Sequence, residues 1–166
     1  MVAMRRALLV MSVAVATVAG VSVGVGGAAE TAGDGMAGPE ADVAHHGHVT
    51  LWDGRLDVVL LSENRGPSGL DDTTVRLAFS VPLAAGHALP AGCVWGGERE
   101  VLCSTGPLRV DGTRHETALT LRTAGVAPQE LTARVATAWN GGAVDRNPAD
   151  NDHRVLVLAT GDPYVF

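Results

Sequence analysis

The stretch "TTVRLAFSV", residues 73–81, decides the fold. Val75, Leu77, Phe79 and Val81 fall on one side of an extended chain, and Thr74, Arg76, Ala78 and Ser80 on the other. That two-residue period belongs to a strand with one buried face, because a helix would space its apolar residues three and four apart. Each inward side chain stabilises by roughly 1.5–3 kcal/mol as it leaves water. The apolar side of this strand is therefore expected to anchor a core.

The pattern repeats on both sides of it. In "RLDVVLLS" (55–62), Leu56, Val58 and Leu60 share one face and Asp57 and Val59 the other. "PLAAGHALPAG" (82–92) carries Pro82 and Pro90, which bar it from a central strand. "CVW" (93–95) and "EVLCS" (100–104) flank Gly96-Gly97 and are expected to form a hairpin that reverses there. "HETALTLRT" (115–123) groups Thr117, Leu119 and Leu121, and "ELTARVATAW" (130–139) groups Leu131, Ala133, Val135 and Thr137. "RVLVLAT" (154–160) is apolar on both faces, the expectation for a central strand. About seven short strands split by Gly, Pro, Asn and Asp predict an all-β, immunoglobulin-like β-sandwich over residues 48–161.

The amino-terminal end has another composition. Arg5 and Arg6 precede the uncharged run "ALLVMSVAVATVAGVSVGV" (7–25), and the small residues Gly27 and Ala29 follow. This is the order of a secretory signal peptide, expected over residues 1–29 with cleavage after Ala29. The run approaches the length of a bilayer span, but its Ala, Gly and Ser content makes it a weak anchor. Residues 30–47, "ETAGDGMAGPEADVAHHG", lack an apolar period and are expected to be a flexible leader. Residues 162–166, "DPYVF", are expected to be a short tail that frays or adds to a partner as a strand. The expected address is secreted, with the membrane met only through the signal segment during export.

The chain has 12 basic residues, every one Arg, against 18 acidic residues, for a net charge of −6. Beyond residue 29, ten arginines face the same 18 acids, which leaves −8. An acidic balance of this kind excludes nucleic acid from the expected partners. Cys93 and Cys103 bracket the expected hairpin. In an exported chain they are expected to be oxidised together as a structural disulfide, since no further metal ligands lie nearby and the spacing is not Cys-x-x-Cys.

Three local patterns occur in order. They are Asn64-Arg65-Gly66-Pro67-Ser68, then "LPAGCVWGGEREVLCSTGPL" (89–108), then "DRNPADND" (145–152). As an ordered set they resemble the bacterial surface-protein family catalogued as domain of unknown function eleven, which is related to cell-adhesion domains. The resemblance covers about residues 50–160 and marks Asn64, Gly66, Pro67, Asp145, Asn147, Pro148 and Asn151 as turn residues of the scaffold. It implies an immunoglobulin-like sandwich serving as a surface repeat, spacer or adhesive module. It brings no catalytic residues to carry over.

Other chemistry is weighed residue by residue. The oxygens of Asp145, Asn147, Asp150, Asn151 and Asp152 are dense enough for Ca²⁺, yet Ala149 stands where the EF-hand loop needs a ligand. An Asx-rich turn accounts for them better. His45, His46 and His48 have the spacing to capture Cu²⁺, Ni²⁺ or Zn²⁺, but in a flexible leader they are solvated side chains. Ser62, Ser68, Ser80 and Ser104 lie in no Gly-x-Ser-x-Gly elbow. Trp52, Trp95 and Trp139 could stack on sugars if exposed in a row, and otherwise pack in the core or at its rim. The expectation is no catalytic, metal or cofactor site, and a secreted, non-enzymatic binding, adhesion or structural module at the bacterial cell exterior. Its partner would be an exterior protein or a cell-wall glycan. The alternative is a secreted carbohydrate-binding module using its aromatics.

Overall fold

The computed structural model describes residues 38–166, so the expected signal peptide and the first part of the expected leader lie outside the described residues. The strands are β1 Val43–Trp52, β2 Arg55–Asn64, β3 Thr74–Phe79, β4 Cys93–Gly97, β5 Glu100–Ser104, β6 His115–Arg122, β7 Glu130–Trp139, β8 Asp152–Leu158 and β9 Tyr164–Val165. They form two antiparallel sheets, ordered β6-β2-β1-β9 and β4-β5-β3-β7-β8. The inward faces of both sheets meet in one apolar core. Leu56, Val58 and Leu60 of β2 and Leu119 and Leu121 of β6 enter it from the first sheet, and Val75, Leu77 and Phe79 of β3 and Leu131, Ala133 and Val135 of β7 from the second. These are the alternating faces the sequence pattern predicts, and the chain is all-β as expected.

Four expectations are corrected. Residues 43–47, placed in a leader by composition, are the first half of β1, which pairs with β2 from Val43↔Asn64 to Trp52↔Arg55. Three histidines and a glycine interrupt its apolar pattern, while the signal that fixes it is Asp53-Gly54. Both residues adopt left-handed φ, 47° and 69°. That is the backbone of a tight hairpin turn matched to strand twist. The second correction concerns Gly96-Gly97, which lie inside β4; the chain reverses at Glu98-Arg99, with the register shifting between Trp95 and Gly97. Third, β8 is an edge strand, not a central one: Leu156 is 54% exposed and Leu158 38%. An apolar face shows what a side chain prefers, and says nothing about how many strands lie beside it. Last, the tail is β9, pairing with β1 through His48↔Val165 and Val49↔Tyr164, so the added strand is the chain's own. Gly47 makes room for it, since a Cβ there would stand 2.0 Å from Val59 O and 2.9 Å from Phe166 Cζ.

Cys93 and Cys103 face each other across β4 and β5 and form a disulfide, as expected. Closing a loop this short stabilises by roughly 2–3 kcal/mol in the chain-entropy model. Cys93→Ser/Cys103→Ser is therefore expected to lower the urea midpoint by an equivalent amount while leaving the strand signature in circular dichroism. A variant as stable as the parent would show that β4 needs no staple. Among the described residues no helix is long and apolar enough to cross a membrane.

Candidate functional site

The turns singled out by sequence come together at one end of the two sheets, around a segment that composition had assigned to the leader. Residues 39–42 run between two loops there. On one side Arg65 N donates to Asp42 O at 2.7 Å and Ser68 N to Glu40 O at 3.0 Å. On the other, Ala41 N donates to Val144 O at 3.0 Å and Val144 N to Pro39 O at 2.8 Å. Gly66 is required by this approach, because a Cβ would stand 2.4 Å from Asp42 N and 2.5 Å from Ala41 Cα. Asn64, wholly buried, bonds in four directions. Its Oδ1 accepts from Asp42 N at 3.2 Å and Gly66 N at 3.0 Å, and its Nδ2 donates to Ser68 O at 2.7 Å and Leu108 O at 3.4 Å. A second small core of Ala41, Val43, Leu70, Leu108 and Ala143 lies beneath.

The acidic turn spends its oxygens on closing this end. Asp145 Oδ1 accepts from Asn147 N at 2.8 Å, and Asp145 Oδ2 from Asn151 Nδ2 at 2.7 Å and Val43 N at 3.2 Å. Asn147 Nδ2 donates to Asp150 Oδ2 at 2.9 Å, and Pro148–Asp150 form one turn of 3₁₀ helix. The first of these is the bond of an Asx turn, and the others tie the turn to itself and to β1. Asp42 Oδ1 and Asp150 Oδ1 are buried without a hydrogen-bond partner. Burial first, then the charges of Asp150 and Asp145, push the Asp42 carboxyl above its usual range. Among the described residues no group of three or more His, Cys, Asp or Glu side chains is placed to hold a metal ion. Nearby, Glu63 accepts from both Arg65 and Arg114 and is held below the usual carboxylate range, Arg114 contributing most.

The three clustered histidines have different fates. His45 points into the protein, wholly buried, with Nδ1 3.0 Å from Ser62 Oγ on β2 and Nε2 2.8 Å from Thr137 Oγ1 on β7. It links the two sheets and is not the solvated side chain expected of a leader. Burial, with smaller effects of His153 and His46, lowers its pKa to about 4. His46 and His48 lie on the opposite face of β1, partly exposed, and Arg65 Nη2 lies 2.9 Å from His46 Nε2. A serine–histidine contact is thus present, but it lacks what hydrolysis needs. Ser62 is 1% exposed and His45 is sealed. The second imidazole nitrogen meets a hydroxyl where a triad places a carboxylate. A base with a pKa near 4 is also a poor proton acceptor at neutral pH.

The surface offers two further features. Trp52, Trp139 and Trp95 are 65%, 52% and 36% exposed. They do not form a row: Trp52 ends β1 beside Arg55, Trp139 ends β7 beside Thr74 at the opposite end, and Trp95 lies on β4. The outer face of the second sheet, in contrast, gathers arginines. Arg76 of β3 lies across from Ala136, which lies across from Asp152. One row along, Ala78 lies across from Arg134, which lies directly across from Arg154. Arg134 makes a two-point contact with Asp152, Nε to Oδ1 being 2.8 Å. Arg99 donates to Ser80 O at 3.1 Å at the border of the same face.

No protein-family model, no curated protein and no solved structure matches this chain.

Proposed function

We propose that this chain is a secreted immunoglobulin-like β-sandwich of the domain-of-unknown-function-eleven type, working as a non-enzymatic binding, adhesion or structural module at the bacterial cell exterior. The observation that supports this most is how the polar side chains are used. The buried ones, His45, Ser62, Asn64, Thr73 and Thr105, bond to one another or to backbone that closes loops. Apart from the buried Oδ1 atoms of Asp42 and Asp150, the polar side chains free to meet a partner, such as Arg76 and Arg154, lie on sheet faces. The ordered turns from Asn64 to Ser68 and Asp145 to Asp152 support the family reading, because they close the same end of the sandwich. The disulfide supports an oxidising compartment.

A second reading, a carbohydrate-binding module that stacks sugars on its aromatics, draws on the exposure of Trp52 and Trp139. The purified chain applied to isolated bacterial cell-wall material and to a glycan array separates the two. Retention that survives Trp52→Ala and Trp95→Ala is the expected result. Saccharide binding abolished by either change installs the aromatic module instead. No retention on any surface fraction overturns the binding reading.

A further inference from the structure

We propose that the outer face of the β3–β7–β8 portion of the second sheet is a binding face for a carboxylated polysaccharide, held by Arg76, Arg134 and Arg154. The inference rests on the binding-module reading and names the partner's chemistry. It begins from charge: a chain of net charge −6 places three of its 12 basic residues on adjoining positions of one sheet face. Strands stand about 4.8 Å apart and same-face neighbours about 6.8 Å along a strand, so the three guanidinium groups share a patch on the order of 10 Å across. That is comparable with the Debye length of roughly 8 Å at physiological salt, so the three charges are only partly screened from one another, with Asp152 offsetting one of them.

The arrangement opposes the fold's own interest. Arg134 and Arg154 are directly opposite each other, and like charges in that position destabilise a sheet. Asp152 pairs with Arg134 and also feels the charge of Arg76, while among the described residues no carboxylate forms an ion pair with Arg154. Asp152 also shows what fits: a carboxylate seated on a guanidinium through two parallel bonds. Arg154 and Arg76 offer the same fork to a carboxylate from outside.

The surface beside Arg134 and Arg154 favours a sugar polymer over a peptide. The face holds an open dish of about 520 Å³ with Ala78 at its base and the hydroxyls of Ser80 and Thr132 at its side. It is lined from β3 and β7, strands whose backbone groups are paired on both sides, and by Asp152 and Arg154 of the edge strand β8. A peptide backbone could join a ladder only at the outer edge of β8, to the side of the dish, so a partner lying over the dish is read by its charges and hydroxyls.

The test uses polygalacturonate as the probe, with dextran as the neutral polymer and poly-glutamate as the acidic peptide. Binding to the full chain is followed by calorimetry at two salt concentrations. The parent is expected to bind polygalacturonate, more weakly as salt rises, and not dextran. Arg76→Gln/Arg154→Gln should weaken binding about tenfold or more and flatten the salt dependence. Arg154→Gln alone should keep or raise the melting temperature while weakening binding, which separates a ligand role from a structural one. Unchanged affinity in the double variant, equal binding of poly-glutamate, or no binding of polygalacturonate each overturns the proposal. If polygalacturonate fails while cell-wall retention persists in the double variant, the ligand class falls and the binding-module reading stands.

Discussion

Asn64→Ala is expected to cost about 3–5 kcal/mol, because it leaves three buried or partly buried backbone groups without partners at roughly 1–3 kcal/mol each. The groups are Asp42 N and Gly66 N, which lose Oδ1, and Ser68 O, which loses Nδ2; Leu108 O keeps its bond from Leu70 N. Against a typical domain stability of about 5–15 kcal/mol this is a third or more of the total. The loss should begin locally, since Asn64 is where the 64–68 loop, the 39–42 segment and Leu108 are held together. Amide exchange at Ala41, Asp42 and Arg65 is expected to rise ahead of exchange in β3 and β7. Asn64→Asp is the sharper companion. It keeps the two bonds accepted by Oδ1 and sets a carboxylate against the Ser68 and Leu108 carbonyls, so it should also be unstable at neutral pH and partly recover in acid. A loss below about 1 kcal/mol in Asn64→Ala would mean that water replaces the amide and that this end is open.

The sequence made the centre of each sheet readable and the ends unreadable, for a physical reason. Val75, Leu77 and Phe79 alternate with polar residues because one face of β3 meets the core and the other meets water. A period of two records that asymmetry directly. β1 shows no such record. Its inward positions include His45 and Gly47, one kept neutral by hydroxyl partners on two strands and the other kept small by Val59 O and Phe166. A buried histidine looks polar in sequence, and only its partners, 17 and 92 residues away, show otherwise. The Asp53-Gly54 pair was the local signal that could have found β1. β8 misled in the opposite sense, since Leu156 and Leu158 are apolar yet lie at a sheet edge. The arginine face was invisible because Arg76, Arg134 and Arg154 are far apart in the chain and are joined only by strand register. The turn residues Asn64, Gly66, Asp145 and Asn151 were legible as turns, but not as parts of one closure.

Acidification should unfold this protein along a histidine branch distinct from its carboxylates. His45 titrates near 6.5 in an unfolded chain and near 4 in the folded one. The lowered folded value means that the native state holds the neutral ring more favourably than water does. Its contribution is therefore complete above pH 6.5, falls as pH drops from 6.5 toward 4, and changes no further below that. A difference of about 2.5 units corresponds to roughly 3 kcal/mol at about 1.4 kcal/mol per unit. Glu63, Asp57 and Asp152, held low by Arg114, Arg55 and Arg134, act in a lower window, as their unfolded carboxylates protonate. The charged groups that act on His45 are His153 and His46, which oppose its protonation, and Asp145, which favours it. Burial outweighs all three, so the sign is set by desolvation of the ring between the sheets. Stability measured by urea between pH 7 and 4.5 is expected to fall by about 1–1.4 kcal/mol per unit. His45→Gln, which keeps polar atoms for Ser62 and Thr137 but does not titrate, should be less stable at pH 7 and nearly flat across that interval. In the parent, the His45 ring resonance should stay in its neutral position until pH approaches 4, a measurement that stands even if the variant fails to fold. A ring that titrates near 6.5 in the native state would mean that protonation is tolerated, and that the His45 link between β1 and β7 is not what acid breaks.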